Sequence, residues 1–112
     1  MTLQEQFNSG VISKQLAPEK IIEAQLMFDK AIDLITKTNP SEITYVFVTH
    51  DESFYIHFEK NNFSIHAEFF FTEVEIDGIE LVLNVYNNDV IVLKQAGMIS
   101  DIWKYLLNLI TK

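Results

Sequence analysis

The apolar residues of this chain change their spacing twice, and that switch limits it to one class of fold. From Pro18 they recur at intervals of three and four, at Ile21, Ala24, Phe28, Ala31, Ile32 and Ile35, with Met27 and Leu34 widening the stripe. From Glu42 onward the interval is two. At Ile99, Ile102, Trp103, Leu106 and Ile110 it returns to three and four. A helix with one apolar stripe and a sheet with one apolar face must bury them against each other. The expected fold is therefore α+β, a five-stranded antiparallel β-meander flanked by an N-terminal and a C-terminal amphipathic helix.

The punctuation sets the boundaries. Residues 17–38 are expected as helix, since Pro18 suits a first-turn position and Asn39-Pro40 ends the segment. Residues 42–94 form the meander, with Lys94 to Gly97 leaving the sheet, and 98–111 form the last helix, capped at or near Ser100. Residues 1–16 read as an N-terminal arm or a short helix. Nothing in 112 residues suggests a linker or repeat, so one domain is expected.

Pairing can be argued from the turns. Asn61-Asn62 tolerates the positive φ values of a two-residue hairpin loop, which sets His57 opposite His66 and Tyr55 opposite Glu68. Asp51-Glu52 is expected to turn the chain between the first two strands. For the third hairpin a three-residue loop, Ile76-Asp77-Gly78, keeps the apolar sets in phase, with Phe71 opposite Leu83 and Phe69 opposite Val85. Asn87-Asn88 is expected to make the last turn, aligning Val85 with Val90 and Leu83 with Val92. Phe54, Phe58, Phe69 and Leu83 then share one face. Val46, Val48, Tyr55, Phe70, Val74, Val82, Ile91 and Leu93 share the other, an apolar surface that marks an interface if both helices cover the first face.

Charge and composition exclude several functions. All eight basic residues are Lys, and the net charge is −8. Without Arg, and with twice as many carboxylates as amines, nucleic acid is not an expected partner. With no cysteine there is no disulfide, thiolate site or cysteine nucleophile. No segment is apolar enough for a membrane span, and none has a secretory pattern, so a cytoplasmic location is expected. His50 lies beside Asp51 and Ser53, but adjacent residues at a turn do not converge as a triad.

Two clusters remain. The opposed His57 and His66, with Glu68, have the residue types for a transition-metal site, and an open position there could activate water. Glu73, Glu75, Asp77 and Glu80 gather at the third hairpin, where an acidic protrusion would steer a basic protein. The leading expectation is a non-enzymatic, acidic protein-binding module that requires no cofactor. It would act through that tip or through the apolar face of Val46, Val48 and Phe70. The alternatives are a small-ligand or metal-binding domain around His57 and His66, with hydrolysis as one outcome, and a structural homodimer subunit.

Overall fold

The structure is a computed structural model that describes residues 2–50, 53–71 and 80–111. Its elements are α1 (Leu3–Ser13), α2 (Pro18–Thr36), β1 (Glu42–His50), β2 (Ser53–Lys60), β3 (Phe63–Phe70), β4 (Glu80–Asn87), β5 (Val90–Met98) and α3 (Ile99–Ile110). The strands form one antiparallel sheet in the order β1-β2-β3-β4-β5, so the α+β meander is as expected.

The N-terminal segment is a full helix. Thr2 accepts a hydrogen bond from the Glu5 amide while Glu5 accepts one from the Thr2 amide, a reciprocal cap that satisfies two otherwise free donors. The helix α3 begins at Ile99 with Met98 as its N-cap, and no side chain caps it, Ser100 included. β5 runs on to Met98, and Lys94 to Gly97 stay paired with β4. The expected departure at Lys94 does not occur, because α3 follows the strand directly.

Three crosswise rows build the inner face. Val48, Phe54, Phe69, Leu81 and Gly97 form one, and Val46, Ile56, Ala67, Leu83 and Gln95 the next. Ile43, Phe58, Ile65, Val85 and Leu93 complete it. All three helices cover this face. Phe7 of α1 stacks on Phe28 of α2 at 4.5 Å, and both meet Phe54 edge-on at 5.7 and 5.9 Å. Ile102, Trp103, Leu106 and Ile110 of α3 join the same buried cluster. In α1, Gly10 lies so close to β1 that a Cβ there would fall 2.7 Å from Val48 Cγ2.

β1 departs most from simple alternation. Its register shifts between Ile43 and Tyr45, and again between Val48 and His50. These two bulges turn Val46 and Val48 inward, where they are only 7% and 2% exposed beneath α1. The outer-face assignment of both residues is therefore corrected. Leu93 is also inward, because a further bulge at Val92 shifts β5 by one residue. The last turn falls at Asn88-Asp89, whose φ values of 50° and 66° suit a two-residue hairpin loop, and not at Asn87-Asn88. It pairs Asn87 with Val90 and Val85 with Leu93, and so replaces both alignments expected for that hairpin.

The β3/β4 register also differs. Phe69 pairs with Leu81 and Ile65 with Val85. Relative to the expected Phe69–Val85 pairing the strands slide by four residues (85 − 81), an even number, so every side chain keeps its face. The expected Ile76-Asp77-Gly78 loop and the Asp51-Glu52 turn lie outside the described residues, as does the His50 side chain.

Candidate functional site

With the helices all on one side, the other face of the sheet has no helix over it among the described residues, although Ser53 at one end of it is fully buried. Its rows follow from the register. Tyr45, His57, His66, Asn84 and Lys94 form the central row, and Phe47, Tyr55, Glu68, Val82 and Ala96 lie to one side. To the other side lie Glu59, Ser64 and Tyr86, with Glu42 directly across from Glu59. Phe70 pairs with Ser53 at the near end, half-buried.

Four rings run across four strands of this face. Tyr45 lies 5.1 Å from His57, His57 4.3 Å from His66, and His66 5.4 Å from Tyr86, centroid to centroid. The β2/β3 hairpin makes this possible. Asn61 and Asn62 take φ values of 51° and 68°, and the tight loop sets His57 against His66 as the turn residues imply. Tyr45 and Phe47 remain 43% and 52% exposed.

The bulges of β1 also aim hydroxyls at this row. Thr44 Oγ1 donates to the His57 carbonyl at 2.9 Å and hydrogen-bonds His57 Nδ1. Since its one proton goes to the carbonyl, Thr44 accepts from Nδ1–H, which leaves Nε2 of the neutral ring as an acceptor. Ser64 Oγ then donates to Nε2 at 2.6 Å. At the second bulge Thr49 Oγ1 donates to the Ser53 carbonyl at 2.9 Å and lies 2.6 Å from Ser53 Oγ. Ser53 in turn donates to Glu68 Oε2 at 2.6 Å.

These contacts set the electrostatics. Burial holds His57 below the ordinary imidazole value, against opposing pulls from Glu59 and Glu42. Burial lowers His66 too, and the neighbouring His57 lowers it further. Tyr55 is raised, by burial first and then by the charge of Glu68 and the hydrogen bond to it.

The expected metal set is only half assembled. His57 and His66 meet, but both ring nitrogens of His57 are engaged, and Glu68 is tied to Ser53 and Tyr55. Among the described residues no group of three His, Asp or Glu side chains is placed to hold an ion. Glu73, Glu75 and Asp77 lie outside the described residues. Glu80 is exposed at the start of β4, across from Met98.

Comparison of the chain with protein-family models, curated proteins and solved structures finds no match in any of the three. Function has to be read from the molecule itself.

The residues that reading by sequence missed are Thr44, Ser64, Tyr45 and Tyr86. Ser64 was within reach, because the Asn61-Asn62 loop that opposes the histidines also sets Ser64 opposite Glu59, one step along from His57. Thr44 had no such signal, since its direction depends on a bulge.

The edges of the sheet are unlike each other. On β1 the Val46 amide donates to Gln6 Oε1 at 2.9 Å, so α1 covers that edge by packing and by a hydrogen bond. Without that cover β1 would present a long apolar edge open to pairing. On β5, Val90, Ile91 and Val92 are exposed, and the bulge at Val92 interrupts the edge.

Proposed function

We propose that this chain is a non-enzymatic protein-binding module whose bare sheet face receives a basic segment of another protein. One observation carries the reading: a five-stranded face that has no helix over it among the described residues and is lined by aromatic rings and carboxylates. Among the described residues Glu42, Glu59, Glu68 and Glu80 stand on this face, with Lys94 on β5 and Lys14 reaching it from the end of α1. Rings and carboxylates both favour Lys and Arg side chains. Phe47 already takes one, with Lys14 Nζ 5.5 Å from its ring centroid.

Hydrolysis has less support, although Ser64, His57 and Thr44 have the order of nucleophile, base and orienting group. Ser64 shares its pocket with Glu59 and Asp89, so negative charge stands where an oxyanion would form. A missing oxyanion donor alone costs about 100-fold to 1,000-fold in rate. A homodimer through this face would bring together two copies that each carry −8.

The test is capture of a partner from the native host by immobilised wild-type protein, with variants to locate the contact. Tyr45→Ala with Phe47→Ala should lose the partner, while Ile22→Ser, on an exposed position of α2, should keep it. Retention by the face variant would sink the proposal. Loss on replacing Glu73, Glu75 and Asp77 by Gln, with the face variant unaffected, would move the contact to the acidic hairpin.

A further inference from the structure

On the opposite side of the molecule, α2 and α3 flank an open groove of about 450 Å³. Leu34 of α2 and Ile99, Trp103 and Leu107 of α3 supply an apolar lining. Lys30 stands on the α2 side and Lys104 on the α3 side. The groove's one carboxylate, Asp33, is held by Lys37 at 2.9 Å. No ion pair is made by Lys30 or Lys104 among the described residues. A molecule of net charge −8 thus has a local patch where two lysines without an ion pair among the described residues border an apolar channel, the Lys104 ammonium lying 5.4 Å from the Tyr105 ring centroid.

The first turn of α3 adds to this. Its N-cap, Met98, provides no side-chain hydrogen bond, and Ile99 and Ser100 at that helix start line the same groove. A helix start favours an anion, as do the two lysines, and Asp101 already supplies one negative charge in this first turn. The volume is within the range of small-molecule sites, and the groove is open to solvent.

We propose that the α2/α3 groove binds a free single-chain carboxylate amphiphile, of the medium-chain fatty-acid class. Its alkyl chain lies along Leu34, Trp103 and Leu107, and its carboxylate sits between Lys30 and Lys104. Charge selects this occupant. An uncharged hydrocarbon would make no use of the lysines, and a cationic amphiphile would be repelled by them. The site is separate from the bare sheet face and does not depend on the function proposed for it.

Trp103 is the only tryptophan of the chain and lines the groove, so its fluorescence reports occupancy. The experiment titrates the full chain with dodecanoate below its micellar concentration. A saturable change in Trp103 emission is expected, with dodecyltrimethylammonium giving none and dodecanol binding more weakly. Lys30→Glu and Lys104→Glu should each weaken dodecanoate about tenfold, the scale of one charge-assisted hydrogen bond. Both lysines are exposed, and unchanged thermal unfolding by circular dichroism would confirm that the variants fold. The proposal is overturned by the absence of a saturable signal. Equal binding of dodecanol, or full retention by the Lys30→Glu/Lys104→Glu double variant, would also overturn it. Co-sedimentation with anionic lipid vesicles without binding of free dodecanoate would replace it with a membrane contact.

Discussion

The two faces of the sheet are made from the same strands and have opposite chemistry. The inner face is almost wholly aliphatic and aromatic, and three helices exclude water from it. The outer face alternates rings with Glu, Ser, Thr, Asn and His, and it satisfies its polar groups sideways, strand to strand, with no helix over it among the described residues. Stability therefore resides on one side. On the other side the side chains are held in defined places but remain available, which is the arrangement a binding surface requires.

That division predicts unequal costs for equal truncations. Phe54 is fully buried among Phe7, Phe28, Phe69 and Phe71. Phe54→Ala should lower unfolding free energy by about 3–5 kcal/mol, enough to unfold much of a domain this size. Phe47→Ala, on the same sheet but the other face, should cost about 0.5 kcal/mol. Urea unfolding of the two variants decides the matter. Comparable losses would mean that the outer face is covered after all.

The next test concerns how tightly the covering layer fits. Ala is favoured over Gly within a helix by about 1 kcal/mol. At Gly10 the added methyl would meet Val48 Cγ2 at 2.7 Å and Cβ at 2.9 Å, and overpacking of that kind costs about 1–3 kcal/mol. Gly10→Ala should therefore destabilise by up to about 2 kcal/mol, read from the same urea curves. A gain in stability would show that α1 lies more loosely on β1 than this contact implies.

These two sites also show what could be read before the structure. Phe54 belongs to a strand of strict alternation, Phe54, Ile56 and Phe58 against Tyr55, His57 and Glu59, so its face was legible. The β2/β3 register was legible too, because two Asn residues define a loop of one length. β1 was not. Ile43 to Val48 is apolar on both phases, and a bulge can reverse such a strand without leaving a mark in its composition. Thr44 and Thr49 do so here. An amphipathic stripe likewise shows that a helix is covered, but not which sheet face covers it. The cap of α1 was written in Thr2 and Glu5, three residues apart, although scattered apolar positions made the segment look like an arm.

A smaller effect tests the sideways bonding of the outer face. Thr44→Val keeps the shape of the side chain and removes the hydroxyl shared by the His57 carbonyl and Nδ1. The loss should be about 1 kcal/mol, the net value of a half-buried hydrogen bond. The His57 ring should then populate both neutral tautomers, which nitrogen chemical shifts distinguish. A single unchanged tautomer would place the control of that ring elsewhere.

The smallest expected effect, and the most specific, is in the titration of the histidine pair. Both residues sit below the ordinary value of 6.5 in the folded chain, mainly because burial disfavours the charged ring. The unfolded chain therefore binds more protons than the folded one in the interval beneath that value. Stability from this source is complete above about pH 6.5 and is lost as pH falls through the folded values. The neighbouring charges act unequally on the two rings: charge on His57 also depresses His66, whereas Glu59 and Glu42 oppose the depression of His57. Replacing His57 by Gln should thus move the His66 midpoint upward, towards the ordinary value without reaching it, because the burial contribution remains. Imidazole proton shifts followed from about pH 8.5 to about pH 4.5, roughly two units either side of the ordinary midpoint, would measure it. A His66 midpoint unmoved by His57→Gln would mean that the rings, 4.3 Å apart, titrate independently, and that the outer face is more open to water than the inner-face comparison requires.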